Sequence, residues 1–246
     1  MSKNSKDIVL TSALRTSVGK LGGNHNKLQA HELGSIVIKG ILDKTKFNVG
    51  EIDEVILGQV LPSLAGQNPA RQALIKSGIP KEKTAFNINQ VCGSGLRAIV
   101  LGSQSISMGS SKFVIAGGQE SMSNSNEKEM LKNGLIDAFN NYHMGVTAEN
   151  VAEKFNISRE EQDRFALDSQ IKTESSIKNK KFLNEIIDSN QDEHPRFNLN
   201  IENLKKLKPA FKEGGTVTAG NSSGINDGAA GVLLTTRDLA EKKNLD

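Results

Sequence analysis

The side chain best equipped for covalent chemistry is Cys92, the only cysteine among 246 residues. It lies in the stretch Asn87-Ile88-Asn89-Gln90-Val91-Cys92-Gly93-Ser94-Gly95-Leu96-Arg97-Ala98. Residues 84–88 predict a short buried strand, and a helix follows from Leu96 with apolar residues Leu96, Ile99, Val100 and Ile106. Cys92 therefore falls at a strand-to-helix turn. There, unpaired backbone N–H groups and the positive end of the helix dipole favour the thiolate, the attacking form of sulfur. Gly93 and Gly95 keep the backbone free of Cβ atoms, so a planar acyl group can approach closely and the helix can start tight against a sheet. A lone cysteine is also consistent with a small buried apolar residue, and residue type alone does not separate the two.

Alternation of elements supplies the frame for that turn. Residues 8–12 predict a first strand, followed by a loop marked by Arg15, Thr16, Gly19, Gly22 and Gly23. A helix over residues 28–42 carries Leu33, Ile36, Val37, Gly40 and Ile41 on one buried face. Residues 55–60 predict the next strand. Asn68 as N-cap and Pro69 as first helical residue open a helix that closes near Gly78. After the cysteine strand and helix, residues 112–117 predict a fourth strand. Such alternation predicts an α/β fold with a mainly parallel sheet covered by helices on both faces. Ligands in these folds sit at the carboxyl ends of strands, where Cys92 falls.

From Gln119 to about Leu207 the chain turns polar, lysine-rich and helical, which reads as an inserted lobe. Ser158 and Glu161 fit a capping box opening a long helix through Phe165, Leu167, Ile171 and Ile177. Strand-like sequence returns at residues 216–219 and 229–235, and a short helix follows Arg237. There is no internal repeat.

Composition excludes several function classes. Thirty-one basic residues against 28 acidic leave a net charge of +3, with no field aimed at nucleic acid or an anionic membrane. Trp is absent and aromatics are 4%, which argues against a stacking platform for single strands. One cysteine excludes an intrachain disulfide and fits a reducing, cytoplasmic setting. The first residues, MSKNSKD, show no signal sequence, and no stretch is apolar enough for a membrane span.

NQVCGSGLRA resembles the nucleophile segment of the thiolases, and other thiolase-like words stand in the same order. They are LRTSVGKLGG, GQNPARQA, GGQESMS, YHMGVTAENVA and LKPAFKEGGTVTAGNSSGINDGAA. The resemblance implies the first of two similar βαβαβαββ halves, with residues 1–118 and 208–246 as the N-terminal α/β domain and residues 119–207 as an inserted lobe that binds coenzyme A. It implies an acyltransferase that makes or cleaves a carbon–carbon bond between acyl-CoA thioesters through an acyl-cysteine on Cys92. The YHMG word is similar to the short-chain type, so acetyl and acetoacetyl substrates are expected. Coenzyme A and acetyl-CoA enter as substrates, with no tightly bound cofactor and no metal.

Several binding residues follow from the resemblance alone. His143 and Met144 would lie along the pantetheine, with Leu135 nearby. Arg196 would approach the adenine nucleotide, Phe211 and Ala219 would pack on the pantetheine arm, and Ser223, Gly224 and Ile225 would line its outer part. Taken singly, the same residues read as a surface histidine, a solvated loop arginine, a core phenylalanine and turn formers.

In the family, the acid–base cysteine, the GHP histidine and the NEAF asparagine belong to a second half. That half is expected to lie outside these residues, and the 246 residues alone are expected not to turn over. Relative to the family pattern, the stretches after Ser125 and after Ile187 are short, which touches a tetramerisation loop and a basic hairpin near the nucleotide. A homodimer or a dimer of dimers is expected. Alternatives from the same residues are a thiolase of broader chain length, a ketoacyl synthase-like condensing enzyme and a non-catalytic fragment that holds coenzyme A.

Overall fold

The computed structural model describes residues 7–188 and 190–245; the opening segment read for a signal sequence and the last residue lie largely outside them. The elements run β1 (Ile8–Arg15), β2 (Gly19–Lys20), α1 (Ala30–Thr45), β3 (Glu54–Gly58), α2 (Pro69–Lys76), β4 (Thr84–Ile88), α3 (Ser94–Ser107) and β5 (Val114–Ser121). They continue through α4 (Glu127–Glu129), a π-helical turn (Met130–Leu135), α5 (Met144–Lys154), α6 (Arg159–Lys178), α7 (Ile201–Lys205), β6 (Asn226–Thr236) and α8 (Arg237–Lys242).

Local chemistry starts the helices where the sequence predicts. Asn68 accepts the Arg71 N–H at 3.0 Å and Pro69 follows it, which opens α2. Ser158 and Glu161 form the reciprocal capping box of α6.

The sheet order is β1-β6-β5-β3-β4, with β2 beside β6. β3 pairs parallel with β4 and β5, whereas β6 runs antiparallel to β1, β2 and β5, so every strand except β6 points the same way. Alternating residues feed two cores. Val55, Leu57, Ile115 and Leu233 meet α1 and α2 on one face. Ile56, Val114, Ala116, Val232 and Leu234 meet Ala98 and Ile106 of α3 on the other. Burying such residues contributes about 1.5–3 kcal/mol each. The outer side of α3 stays open, with Leu96 70% exposed.

One expected strand is absent. Residues 216–219 make no ladder, only a single bridge between Pro209 and Thr218. The reason is local: Glu149 takes the N–H groups of Thr216 and Val217, and Asn221 Oδ1 takes that of Thr218. With three of its four donors taken by side chains, the segment has little left to build a ladder. The strand expected over 112–117 runs instead from Val114 to Ser121, past the expected start of the lobe at Gln119.

Candidate active site

Cys92 is exposed and sits two residues before α3, beyond the carboxyl end of β4. The turn that presents it is tight. Val91 adopts φ 50°, left-handed backbone that a β-branched residue rarely takes. Asn89 Oδ1 accepts the Val91 N–H at 2.9 Å, and Ser94 Oγ donates to the Val91 carbonyl at 2.5 Å while accepting the Gln90 N–H at 2.9 Å. Three side-chain bonds therefore hold the strained residue next to the sulfur.

Glycines let the turn rest on the sheet. A Cβ on Gly58, the last residue of β3, would lie 2.6 Å from Gly95 N, and one on Gly118 of β5 would lie 3.5 Å from Gly95 Cα. The start of α3 therefore touches backbone, not side chains.

A hollow of about 350 Å³ opens beside the sulfur, lined by the strand ends of β1, β3, β5 and β6 together with Cys92. Its carboxylates include Glu120 and Asp227. Burial pushes the Glu120 carboxyl up to about 7, against the pull of the Val60 and Leu61 N–H groups, and Glu129 and Asp227 add repulsion. Sequence reasoning singled out GGQESMS as a word but gave Glu120 no role; a carboxylate just past a predicted strand end was the available signal.

A second constellation invites a catalytic reading and does not support one. Ser17 Oγ lies 3.0 Å and Asp188 Oδ2 3.3 Å from the same ring nitrogen of His25, Nε2. Nδ1 has no partner among the described residues, and Ser17 and His25 are buried. A serine–histidine–aspartate relay needs the acid and the nucleophile on opposite nitrogens. This cluster instead fastens the stretch after α6 to the loop after β1. Nearby, Arg15 holds Glu185 at 2.7 Å and both oxygens of Asp192, at 2.8 and 3.0 Å.

The residues expected around coenzyme A are gathered only in part. His143 caps α5, accepting the Gly145 N–H at 2.9 Å, and stacks on Phe211 with ring centroids 4.9 Å apart. Met144 is the first residue of α5. Leu135 ends the π-helical turn, and the Ile136–His143 bridge brings the end of that turn beside the histidine. Ala219 follows the Thr218 bridge. Ser223 and Gly224 are exposed and precede Ile225, whose carbonyl accepts the Leu21 N–H at 3.0 Å. Arg196 is exposed on its own stretch, its N–H donating to Gln170 of α6 at 2.8 Å. Among the described residues, no three His, Cys, Asp or Glu cluster as metal ligands, and no helix is long and apolar enough to cross a membrane.

An exposed cysteine at a strand-to-helix turn, beside a hollow at the strand ends, is placed for covalent catalysis by sulfur. The chain belongs to the thiolase family: the thiolase N-terminal domain matches residues 8–238. It is 48% identical to the acetyl-CoA acetyltransferase of Rhizobium meliloti, over 97% of this chain and 67% of that protein. It is 47% identical to the enzyme of the same name from Paracoccus denitrificans, over 96% of this chain and 68% of that one. The crystal structure of Bacillus anthracis acetyl-CoA acetyltransferase superposes with a TM-score of 0.92 at 34% identity, covering all of this chain and 69% of that one. The chain thus spans about two thirds of these relatives. The match to the Rhizobium protein runs over 265 residues, longer than this chain, so the relative carries internal segments that this sequence lacks.

Proposed function

We propose that this chain supplies the acyl-accepting part of an acetyl-CoA C-acetyltransferase, with Cys92 as the nucleophile. The observation that carries the reading is the exposed Cys92 thiol at the β4–α3 turn, at the mouth of a hollow formed by strand ends. The sulfur attacks the acetyl-CoA carbonyl carbon, a C–S bond to Cys92 forms, the bond to the CoA sulfur breaks, and CoA leaves as the thiol. The α-carbon of a second acetyl-CoA then loses a proton to a base and attacks the acetyl group. A carbon–carbon bond forms, acetoacetyl-CoA departs, and the Cys92 thiolate returns. In reverse, the Cys92 sulfur attacks the 3-keto carbon, the carbon–carbon bond breaks and the departing acetyl-CoA carbanion takes back a proton from the base; the CoA sulfur then attacks the acetyl-cysteine carbonyl and releases the second acetyl-CoA. That base, by the resemblance, comes from the family's second half.

For the tetrahedral oxyanion, the available donor is the backbone N–H of Cys92, which meets no acceptor among the described residues. A donor of this kind lowers a barrier by about 3 kcal/mol. We assign residues 119–207 as the lobe that binds coenzyme A. There His143 and Met144 lie along the pantetheine with Leu135 nearby, and Arg196 meets the nucleotide; from the α/β domain, Phe211, stacked on His143, and Ala219 pack on the pantetheine arm, and Ser223, Gly224 and Ile225 line its outer part. A cytoplasmic homo-oligomer fits this reading. Thiolysis of acetoacetyl-CoA by the full-length protein is the test. Turnover that Cys92→Ser abolishes is expected, and turnover that survives the substitution overturns the assignment.

A further inference from the structure

Two residues at the end of β5 hold the segment that follows β3, and that segment holds the cysteine turn. Glu120 takes the Val60 N–H at 2.8 Å on one carboxylate oxygen and the Leu61 N–H at 3.1 Å on the other. Gln119 donates to the Gln59 amide oxygen at 2.8 Å, and Gln59 donates to the Leu61 carbonyl at 2.8 Å. Residues 59–61 then reach the neighbouring strand. The Gln59 N–H donates to the Ile88 carbonyl at 3.1 Å, and Asn89 Nδ2 donates to the Val60 carbonyl at 3.4 Å. The other amide atom of Asn89 accepts the N–H of Val91, the residue with positive φ that immediately precedes Cys92.

We propose that Glu120 is a positioning residue for Cys92: from within the same hollow it fixes the nucleophile's turn through Val60 and Asn89, without touching substrate. The proposal rests on the reading of Cys92 as the acyl acceptor. A β-branched residue at positive φ persists only where its surroundings dictate it. Of the bonds in this path, those to a carboxylate are the strongest, and Glu120 makes two of them. The path ends on Val91, the residue bonded to Cys92.

Protonation of Glu120 weakens its grip on Val60 and Leu61, so the path carries a pH signature near 7. The ionisable groups that face Glu120 are Glu129 from α4 and Asp227 from β6, and Arg15 of β1 lines the same hollow while engaged with Glu185 and Asp192.

The test uses the full-length protein and iodoacetamide as the probe of Cys92. Glu120→Gln keeps the side chain's size but turns an amide N–H donor towards a backbone N–H. Alkylation of Cys92 is expected to slow about tenfold. The value of kcat falls by a similar factor, while KM for acetyl-CoA stays within about twofold, because no bond in the path reaches a residue assigned to contact coenzyme A. The wild-type alkylation profile is expected to show an inflection near 7 that the Gln variant lacks. Asn89→Ala cuts the same path further along and slows alkylation likewise. Superimposable alkylation profiles for the wild type and E120Q overturn the proposal, as does an unchanged rate in N89A should E120Q fail to fold. Alkylation needs no coenzyme A. Failure of Cys92 to take up an acetyl group would therefore strike the proposed function and leave this result standing.

Discussion

Gly58→Ala adds one methyl group at the place where β3 meets the nucleophile turn. The new Cβ would lie 2.6 Å from Gly95 N and 2.6 Å from Ser94 Cβ, and closer still to the Ser94 carbonyl carbon, whereas ordinary contact begins at 3.4 Å. Two of these are backbone atoms, which cannot swing aside like the tip of a long side chain. The start of α3 must withdraw by about 1 Å, a displacement that costs on the order of 10²-fold when it falls on a reacting group. Overpacking of this kind also costs about 1–3 kcal/mol of stability. Gly102→Ala separates the two effects. Its Cβ would meet Leu234 Cδ1 at 2.7 Å and Val114 Cγ1 at 3.1 Å, so it strains the core under the same helix without touching the turn. Urea denaturation should show both variants destabilised, and rapid-quench measurement of acetyl transfer from labelled acetyl-CoA should show only G58A slowed. Equal acylation rates for G58A and wild type, or equal slowing in G102A, would refute the claim that this glycine places the nucleophile.

Glu149→Ala strands the N–H groups of Thr216 and Val217 and the Thr216 hydroxyl, at a cost of about 2–4 kcal/mol read from the urea midpoint. Burial works to raise the Glu149 pKa, but the Val217 and Thr216 bonds outweigh it and hold the group below the usual carboxylate range. The unfolded chain then binds the proton more tightly, so this stabilisation is full above the ordinary carboxylate pKa and fades as pH falls through the folded value; E149A should flatten that acid limb. Glu120 has the opposite sign. With its folded pKa at about 7 against 4.5, the folded state keeps the proton longer, and stability should decline as pH rises between those values. The drop is at most on the order of 3 kcal/mol, and midpoints of E120Q over the same range should lack it. His143→Ala removes the ring stacked on Phe211. KM for acetyl-CoA should rise severalfold, while the iodoacetamide rate at Cys92 stays unchanged.

Much of the frame was legible because it depends on local signals. The Asn68-Pro69 start of α2 and the Ser158–Glu161 box of α6 are short-range hydrogen-bond chemistry, visible as residue types at fixed spacing. The strand over residues 84–88 and the helix after Cys92 follow from apolar patterning and turn glycines, but the strand expected to be buried is the edge of the sheet and none of its residues is fully buried, because only β3 flanks it. What escaped depends on long-range pairing. No periodicity in residues 216–219 reveals that Glu149, 67 residues away from Thr216, takes up their donors. The reversed direction of β6 is set by its partners β1 and β5, not by its own sequence. At the site, Cys92 was evident from its context. Glu120 was not, because its two bonds run to backbone about 60 residues distant, where side-chain identity leaves no mark.

The central claim is that Cys92 accepts the acyl group. Brief exposure of the full-length protein to acetyl-CoA, acid quenching and peptide mass spectrometry tests it directly. The account predicts an acetyl adduct on the peptide containing Cys92, lost in Cys92→Ser and formed more slowly in Gly58→Ala. An unmodified Cys92 in protein shown to have bound acetyl-CoA would contradict it.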